Sequence, residues 1–287
     1  MIGGRAEARF TDIAVDQKTH VMNFNMTVGD SKDPVQLHLK SLPGVAEAEA
    51  EGYWLEAGEK GIRIWDGPIK EDSSQVLEWF TTEKLLWDRS RRVPGIEGLA
   101  RYRELATYDL LYVGIAKTGD SFDRLIARGH KARMEILANE PQRYPGARIT
   151  DETFLFMFQV SPLVLQTFEP EHDFTESDFS GEIDRKRIVA DAEKAFVSLL
   201  KPQYNIVKFS NYPKGADGLY RSEYARYTYA IGEDLAFNTA HGRVRGARDP
   251  DGAISNDADF IFVEGDKVSF YVSGVDFPGE ESRGRKD

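Results

Sequence analysis

The longest helical period in the chain runs from Asp184 to Leu200 and stops against Pro202. Ile188, Ala192, Ala195, Phe196 and Leu199 recur three and four residues apart, which gives the segment one apolar face. Asp184 can supply an N-cap oxygen at its start. Pro202 has no amide and clashes with the preceding turn, so the helix must end near Lys201. Most of the remaining signals are for strands. His20–Val28 alternates at period two before a Gly29-Asp30 turn, and Val35–Leu39 alternates again. Gly61–Trp65 reads as a strand that ends in Asp66-Gly67-Pro68. Val45 to Glu51 favours a short helix, and Ser74 is expected to cap a second one through Val76, Leu77 and Phe80 to Leu85 and Trp87.

After Val93-Pro94-Gly95, a linker by composition, Leu110–Ile115 is a continuous apolar strand. Lys117-Thr118-Gly119-Asp120 makes a turn. Ser121 then opens a helix with Phe122, Leu125 and Ile126 on one face, continued after Gly129 by Lys131 to Leu137. Thr153–Val160, with Phe154, Phe156 and Phe158 on one side, reads as a buried strand. From Ser210 onward the chain is β-rich, with Tyr224–Ile231 and a hairpin over Phe260–Val272. The expected fold class is α+β in three consecutive parts. These are a β-rich unit with a helix at 1–95, a central module at 96–210, and a β-rich unit at 211–287.

Composition narrows the chemistry. The 287 residues are 41% apolar and 11% aromatic, enough for a real core. There is no cysteine, so disulfides, thiolate zinc sites and cysteine nucleophiles are excluded. The five histidines are scattered and form no His-x-x-x-His pair. No apolar run approaches the roughly 18 residues of a membrane span, and Met1–Glu7 lacks the basic and apolar regions of a signal peptide, so a cytoplasmic protein without membrane association is expected. A net charge of −11 argues against nonspecific coating of nucleic acid. Charge is unevenly spread, however. Between Arg101 and Arg148 nine Lys/Arg stand against six Asp/Glu, whereas Glu169–Asp184 holds seven acids and no Lys or Arg.

Two short words carry most of the functional information. Tyr112-Val113-Gly114, followed by a turn and Arg124, resembles the second half of the signature of the GIY-YIG nuclease superfamily. Glu193 with Lys201-Pro202-Gln203-Tyr204-Asn205 resembles the closing motif of that superfamily, in the form found in the bacterial excision-repair incision subunit. The order of strand, arginine helix, strand, glutamate helix and Lys-Pro-x-Tyr-Asn also matches, over roughly residues 100 to 208. The first half of the signature is absent, since no Gly-Ile-Tyr precedes the strand. Tyr102, ten residues before Tyr112, is the best match for the missing tyrosine, with Tyr108 as the fallback.

The resemblance implies a small antiparallel sheet flanked by helices that hydrolyses DNA phosphodiester bonds with Mg²⁺ or Mn²⁺. Glu193 would be the metal ligand, and Mg²⁺ commonly takes only one or two protein carboxylates. Arg124 would contact the scissile phosphate, for which its planar fork is suited. Tyr112, helped by Tyr102, would place the water, and Asn205 would brace the site. The superfamily often has a histidine four residues after the helix arginine. Here that position is Arg128, and His130 comes six after Arg124, which makes it a further candidate. Gly114, Lys117, Arg128 and Lys201 are the candidate substrate contacts. The flanking units would choose the substrate or dock a protein partner, and the acidic 169–184 run would fold over the basic helix to suppress idle cutting. The alternative is a module that has lost catalysis and binds nucleic acid or a protein partner.

Other patterns are less specific. Asp249-Pro250-Asp251-Gly252 with Asn256-Asp257 lacks the glutamate spacing of a calcium loop and reads as turn chemistry. Gly242–Arg248 is a short basic glycine-containing loop. Tyr220, Tyr224, Tyr227 and Tyr229, near Arg221 and Arg226, either stack bases or pack one face of a strand.

Overall fold

The structure, a computed structural model, describes residues 1–48, 52–69, 71–115, 130–166, 168, 171, 173, 183–249 and 255–275. The first elements in chain order are β1 (Ile2–Gly4), β2 (Ala8–Asp16), β3 (Val21–Val28), β4 (Ser31–His38), α1 (Pro43–Glu47), β5 (Trp54–Gly58) and β6 (Gly61–Trp65). Next come β7 (Val76–Thr81), α2 (Thr82–Ser90), β8 (Ile96–Gly98), α3 (Tyr102–Leu105), β9 (Thr107–Tyr112), α4 (Lys131–Asn139) and β10 (Thr153–Leu155). The last are α5 (Arg185–Leu200), β11 (Arg226–Ala230), β12 (Ala236–Thr239), β13 (Gly242–Arg245), β14 (Phe260–Glu264) and β15 (Lys267–Tyr271). The class is mixed α+β, with several small sheets.

The chain forms two compact units, and they interleave in sequence. One comprises Met1–Tyr112, Gly129–Phe156 and Asp234–Asn238, and the other Val113–Arg128, Met157–Glu233 and Thr239–Asp287. The chain leaves the first unit after Tyr112 and returns to it twice.

In the first unit, β2, β3, β4 and β8 form one antiparallel sheet in that order. The period-two pattern of β3 buries Met22, Phe24 and Met26, and that of β4 buries Val35 and Leu37. A second sheet runs β5-β6-β7 and buries Ile62, Ile64 and Phe80. Here the structure corrects the sequence reading, because 76–81 is a strand and not the start of a helix. Trp79 pairs with Arg63 and Phe80 with Ile62, and these aromatic residues gain cross-strand partners that a helix would not give them. The helix begins later, where the Thr81 hydroxyl accepts from the Lys84 amide at 3.2 Å.

The third sheet carries the tyrosine strand. β1 lies between β9 and β10, antiparallel to both, and β12 runs parallel on the far side of β9. Because β1 is only three residues long, its ladder with β10 ends at Ile2 and Leu155, so the strand expected to reach Val160 stops there. Gly3 packs under an aromatic cluster. A Cβ on it would stand 3.0 Å from both Phe156 and Tyr108, whose rings meet edge to face at 4.7 Å. Arg5 is buried beside this cluster. It donates to the Leu105 carbonyl at 2.5 Å and to the Tyr108 hydroxyl at 3.1 Å, and pairs with Glu83 at 2.8 Å.

In the second unit, β11, β14 and β15 form an antiparallel sheet. Gly265, at φ +57, makes the turn of the β14–β15 hairpin. Helix α5 packs against this sheet, with the ring centroids of Phe196 and Tyr229 6.4 Å apart. Its ends are where the sequence puts them. The Asp184 carboxylate accepts from the Arg187 amide at 3.1 Å, and Lys201 takes the left-handed conformation (φ 47, ψ 52) just before Pro202.

Candidate functional site

Strand β9 buries Tyr108, Leu110 and Leu111 and leaves Tyr112, at its end, half-buried. His130 precedes α4 in an extended conformation (φ −76, ψ 124), which brings its ring edge-on to Tyr112 with centroids 5.1 Å apart. Two of the expected site residues in the first unit are therefore neighbours, although 17 residues separate them in the chain.

The residue after Tyr112 is held in an unusual way. Among the described residues Val113 has no strand partner for its backbone groups. Its N–H donates to the Asn205 side-chain oxygen at 2.9 Å, and its carbonyl accepts from the Asn205 side-chain nitrogen at 2.7 Å. A primary amide offers one acceptor and a donor side by side, so Asn205 acts as a single residue of neighbouring strand. It does so while only 8% exposed, and its own amide donates to the Pro202 carbonyl at 3.2 Å. Pro202 thus both ends α5 and fixes the turn that delivers Asn205. Gly114 follows Val113 and is half-buried. Lys201 is exposed at the end of α5, where its amide donates to the Val197 carbonyl at 3.0 Å. Glu193 lies half-buried on α5 between buried Ala192 and buried Lys194, at the border of the apolar face.

Lys117, Arg124 and Arg128, with the helix expected to carry the two arginines, lie outside the described residues, as does most of the acidic 169–184 run. Tyr102 is described, and it is on α3, with the guanidinium groups of Arg89 and Arg103 each 5.6 Å from its ring. Tyr108 is in the core. The strand antiparallel to β9 is β1, and it offers Ile2, Gly3 and Gly4. Among the described residues no three or more His, Asp or Glu side chains cluster so as to hold a metal ion. The expected site asks for a single carboxylate and does not depend on such a cluster.

One polar centre was not anticipated. Asp191 is completely buried on α5. Its carboxylate accepts from the Tyr212 hydroxyl at 2.8 Å, the Tyr229 hydroxyl at 2.9 Å and the Leu219 amide at 2.8 Å. Gly218 lies against it so closely that a Cβ would fall 2.2 Å from its oxygen. Lys194 pairs with Asp217, and Arg187 donates to the Gly218 carbonyl at 2.5 Å, so one helix fastens the whole 212–219 loop. Burial, followed by the negative charge of Asp191, pushes the Tyr227 hydroxyl up to about 12 and raises those of Tyr212 and Tyr229 as well. The signal was present in the sequence. Asp191 sits among Ile188, Ala192 and Ala195, and a carboxylate on an apolar helix face must find donors.

No family model, no curated protein and no solved structure matches this chain.

Proposed function

We propose that the protein is a metal-dependent endonuclease that hydrolyses DNA phosphodiester bonds through a GIY-YIG-like site. The observation that carries this reading is the double hydrogen bond from Asn205 to Val113. The two sequence words that suggest the chemistry lie 92 residues apart, and this contact joins them at the residue beside the candidate water-placing tyrosine. The edge contact of His130 with Tyr112 is a second support.

In this reading Glu193 holds Mg²⁺ or Mn²⁺, and its place on a capped helix suits that task because a ligand on a rigid element keeps its geometry. The cation would neutralise charge on the phosphoryl oxygens. Tyr112 orients the attacking water, and His130, packed on its ring, holds or moves the proton. Arg124 meets the charge that develops on the phosphate. Asn205 braces Val113, and Gly114, Lys117, Arg128 and Lys201 are the candidate substrate contacts. No helix among the described residues is long and apolar enough to cross a membrane.

A specific observation favours a second reading, a module that binds nucleic acid or a protein partner without cutting. The strand beside β9 carries no tyrosine, and Tyr102 is on α3. A closed circular plasmid incubated with Mg²⁺ or Mn²⁺ separates the two. Metal-dependent cutting by the wild type that Glu193→Ala abolishes is the expected result. Binding without cutting by the wild type selects the second reading.

A further inference from the structure

Tyr220, Tyr224 and Tyr227, with Leu219, Arg221 and Asp266, line a cleft of about 410 Å³ in the second unit, closed on one side by the hairpin turn at Gly265. We propose that this cleft receives one nucleotide of a single-stranded nucleic acid, its base on the tyrosine rings and its phosphate on Arg221. The proposal rests on the reading of the protein as one that acts on nucleic acid, and its test measures binding alone. A volume in this range is ordinary for a small-ligand site, about 300–1,000 Å³.

The walls are held in place before any ligand arrives. Tyr227 packs edge-on against Tyr229 with centroids 5.9 Å apart, and the Tyr229 hydroxyl is tied to the buried carboxylate of Asp191 at 2.9 Å. The Tyr220 hydroxyl donates to Asp266 at 2.6 Å. Tyrosine is rigid and presents a flat π face, which suits it to sequence-tolerant stacking of bases.

Three tyrosines and an aspartate could also make a cage for an organic ammonium, but two features oppose a cationic guest. Asp266 is already engaged, accepting from Tyr220 and pairing with Lys214 at 3.0 Å. A cation is also resident, since the Arg221 guanidinium stands 5.3 Å from the Tyr220 ring centroid. Arg221 has a left-handed backbone (φ +58), a conformation that costs a non-glycine residue energy and recurs at ligand-clamping positions. Among the described residues no carboxylate stands within ion-pair distance of it; the charge of Asp266 acts on it from farther away, and its fork can turn to a phosphate. A planar ring with an attached anion matches both the tyrosine rings and the Arg221 guanidinium.

The test is fluorescence anisotropy with labelled oligodeoxyuridylate and oligouridylate in EDTA, where no metal-dependent cutting occurs. Wild type is expected to bind. Tyr224→Ala is expected to weaken binding about tenfold, and Arg221→Gln to weaken it and flatten its salt dependence. Tyr224→Phe, which keeps the stacking face, is expected to bind as wild type does. A preference between oligouridylate and oligodeoxyuridylate, which differ in the 2′-hydroxyl alone, assigns the sugar. Wild type that binds neither probe, or Tyr224→Ala and Arg221→Gln proteins that bind as tightly as wild type, overturns the proposal. Wild type that binds the oligonucleotides but does not cut the plasmid in Mg²⁺ or Mn²⁺ would count against the nuclease reading alone.

Discussion

Replacing Asn205 by alanine probes the contact on which the proposed site depends. The change removes the amide that accepts from Val113 N–H at 2.9 Å and donates to its carbonyl at 2.7 Å, at a position 8% exposed. Both backbone groups of Val113 are then left without a partner away from water. Each unsatisfied group costs about 1–3 kcal/mol, partly offset by relaxation of the loop, so a destabilisation of about 2–4 kcal/mol is expected. Asn205→Asp should cost at least as much, because it keeps the acceptor for Val113 N–H and turns a carboxylate oxygen toward the carbonyl. Urea unfolding of the two variants, with hydrogen exchange at the Val113 amide, reads the effect. The midpoint should fall with little change in slope, and Val113 should lose protection. A loss below about 1 kcal/mol with Val113 still protected would refute the brace.

Two further outcomes follow from buried polar groups. Arg5 is almost fully buried while its partner Glu83 is 41% exposed, so Arg5→Met leaves the Leu105 carbonyl and the Tyr108 hydroxyl short of a donor but lets Glu83 rehydrate. About 3 kcal/mol of stability should be lost in chemical denaturation, and a variant as stable as wild type would show that the guanidinium contributes nothing net. The tyrosines around Asp191 set an alkaline limit. Tyr227 keeps its proton up to about 12 in the folded protein, and Tyr212 and Tyr229 are raised too, whereas an unfolded tyrosine releases its proton near about 10. The folded state therefore binds more protons above pH 10, and stability must fall as pH rises through that window. Unfolding midpoints at pH 9 and 11 should show the fall, and Asp191→Asn should make it shallower. Identical slopes for the two proteins would rule out Asp191 as the source.

What the sequence reveals here is local. The α5 boundaries follow from Asp184, the apolar period and Pro202, and β3 and the β14–β15 hairpin from alternation and turn residues, because each signal is complete within a few positions. The third sheet is not local. β1 is Ile2-Gly3-Gly4, two glycines with little strand propensity, and its partners lie more than a hundred residues away in β9 and β10. No periodicity announces such a strand. The strand antiparallel to β9 is therefore β1, and Tyr102, well spaced in sequence, lies on a helix. Of the candidate site, the closing motif was legible because Pro202 and Asn205 act through a single turn. Asp191 was passed over because its three donors come from Tyr212, Leu219 and Tyr229, up to 38 residues downstream.

The central claim is that Glu193 holds a divalent cation for phosphodiester cleavage. Mn²⁺ uptake, followed by electron paramagnetic resonance on protein saturated with an uncleavable phosphorothioate oligonucleotide, addresses it directly. The expected result is a tightly held ion in wild type that disappears in Glu193→Gln, with the oligonucleotide still bound. Equal uptake by the two proteins would contradict the assignment of Glu193 as the metal ligand.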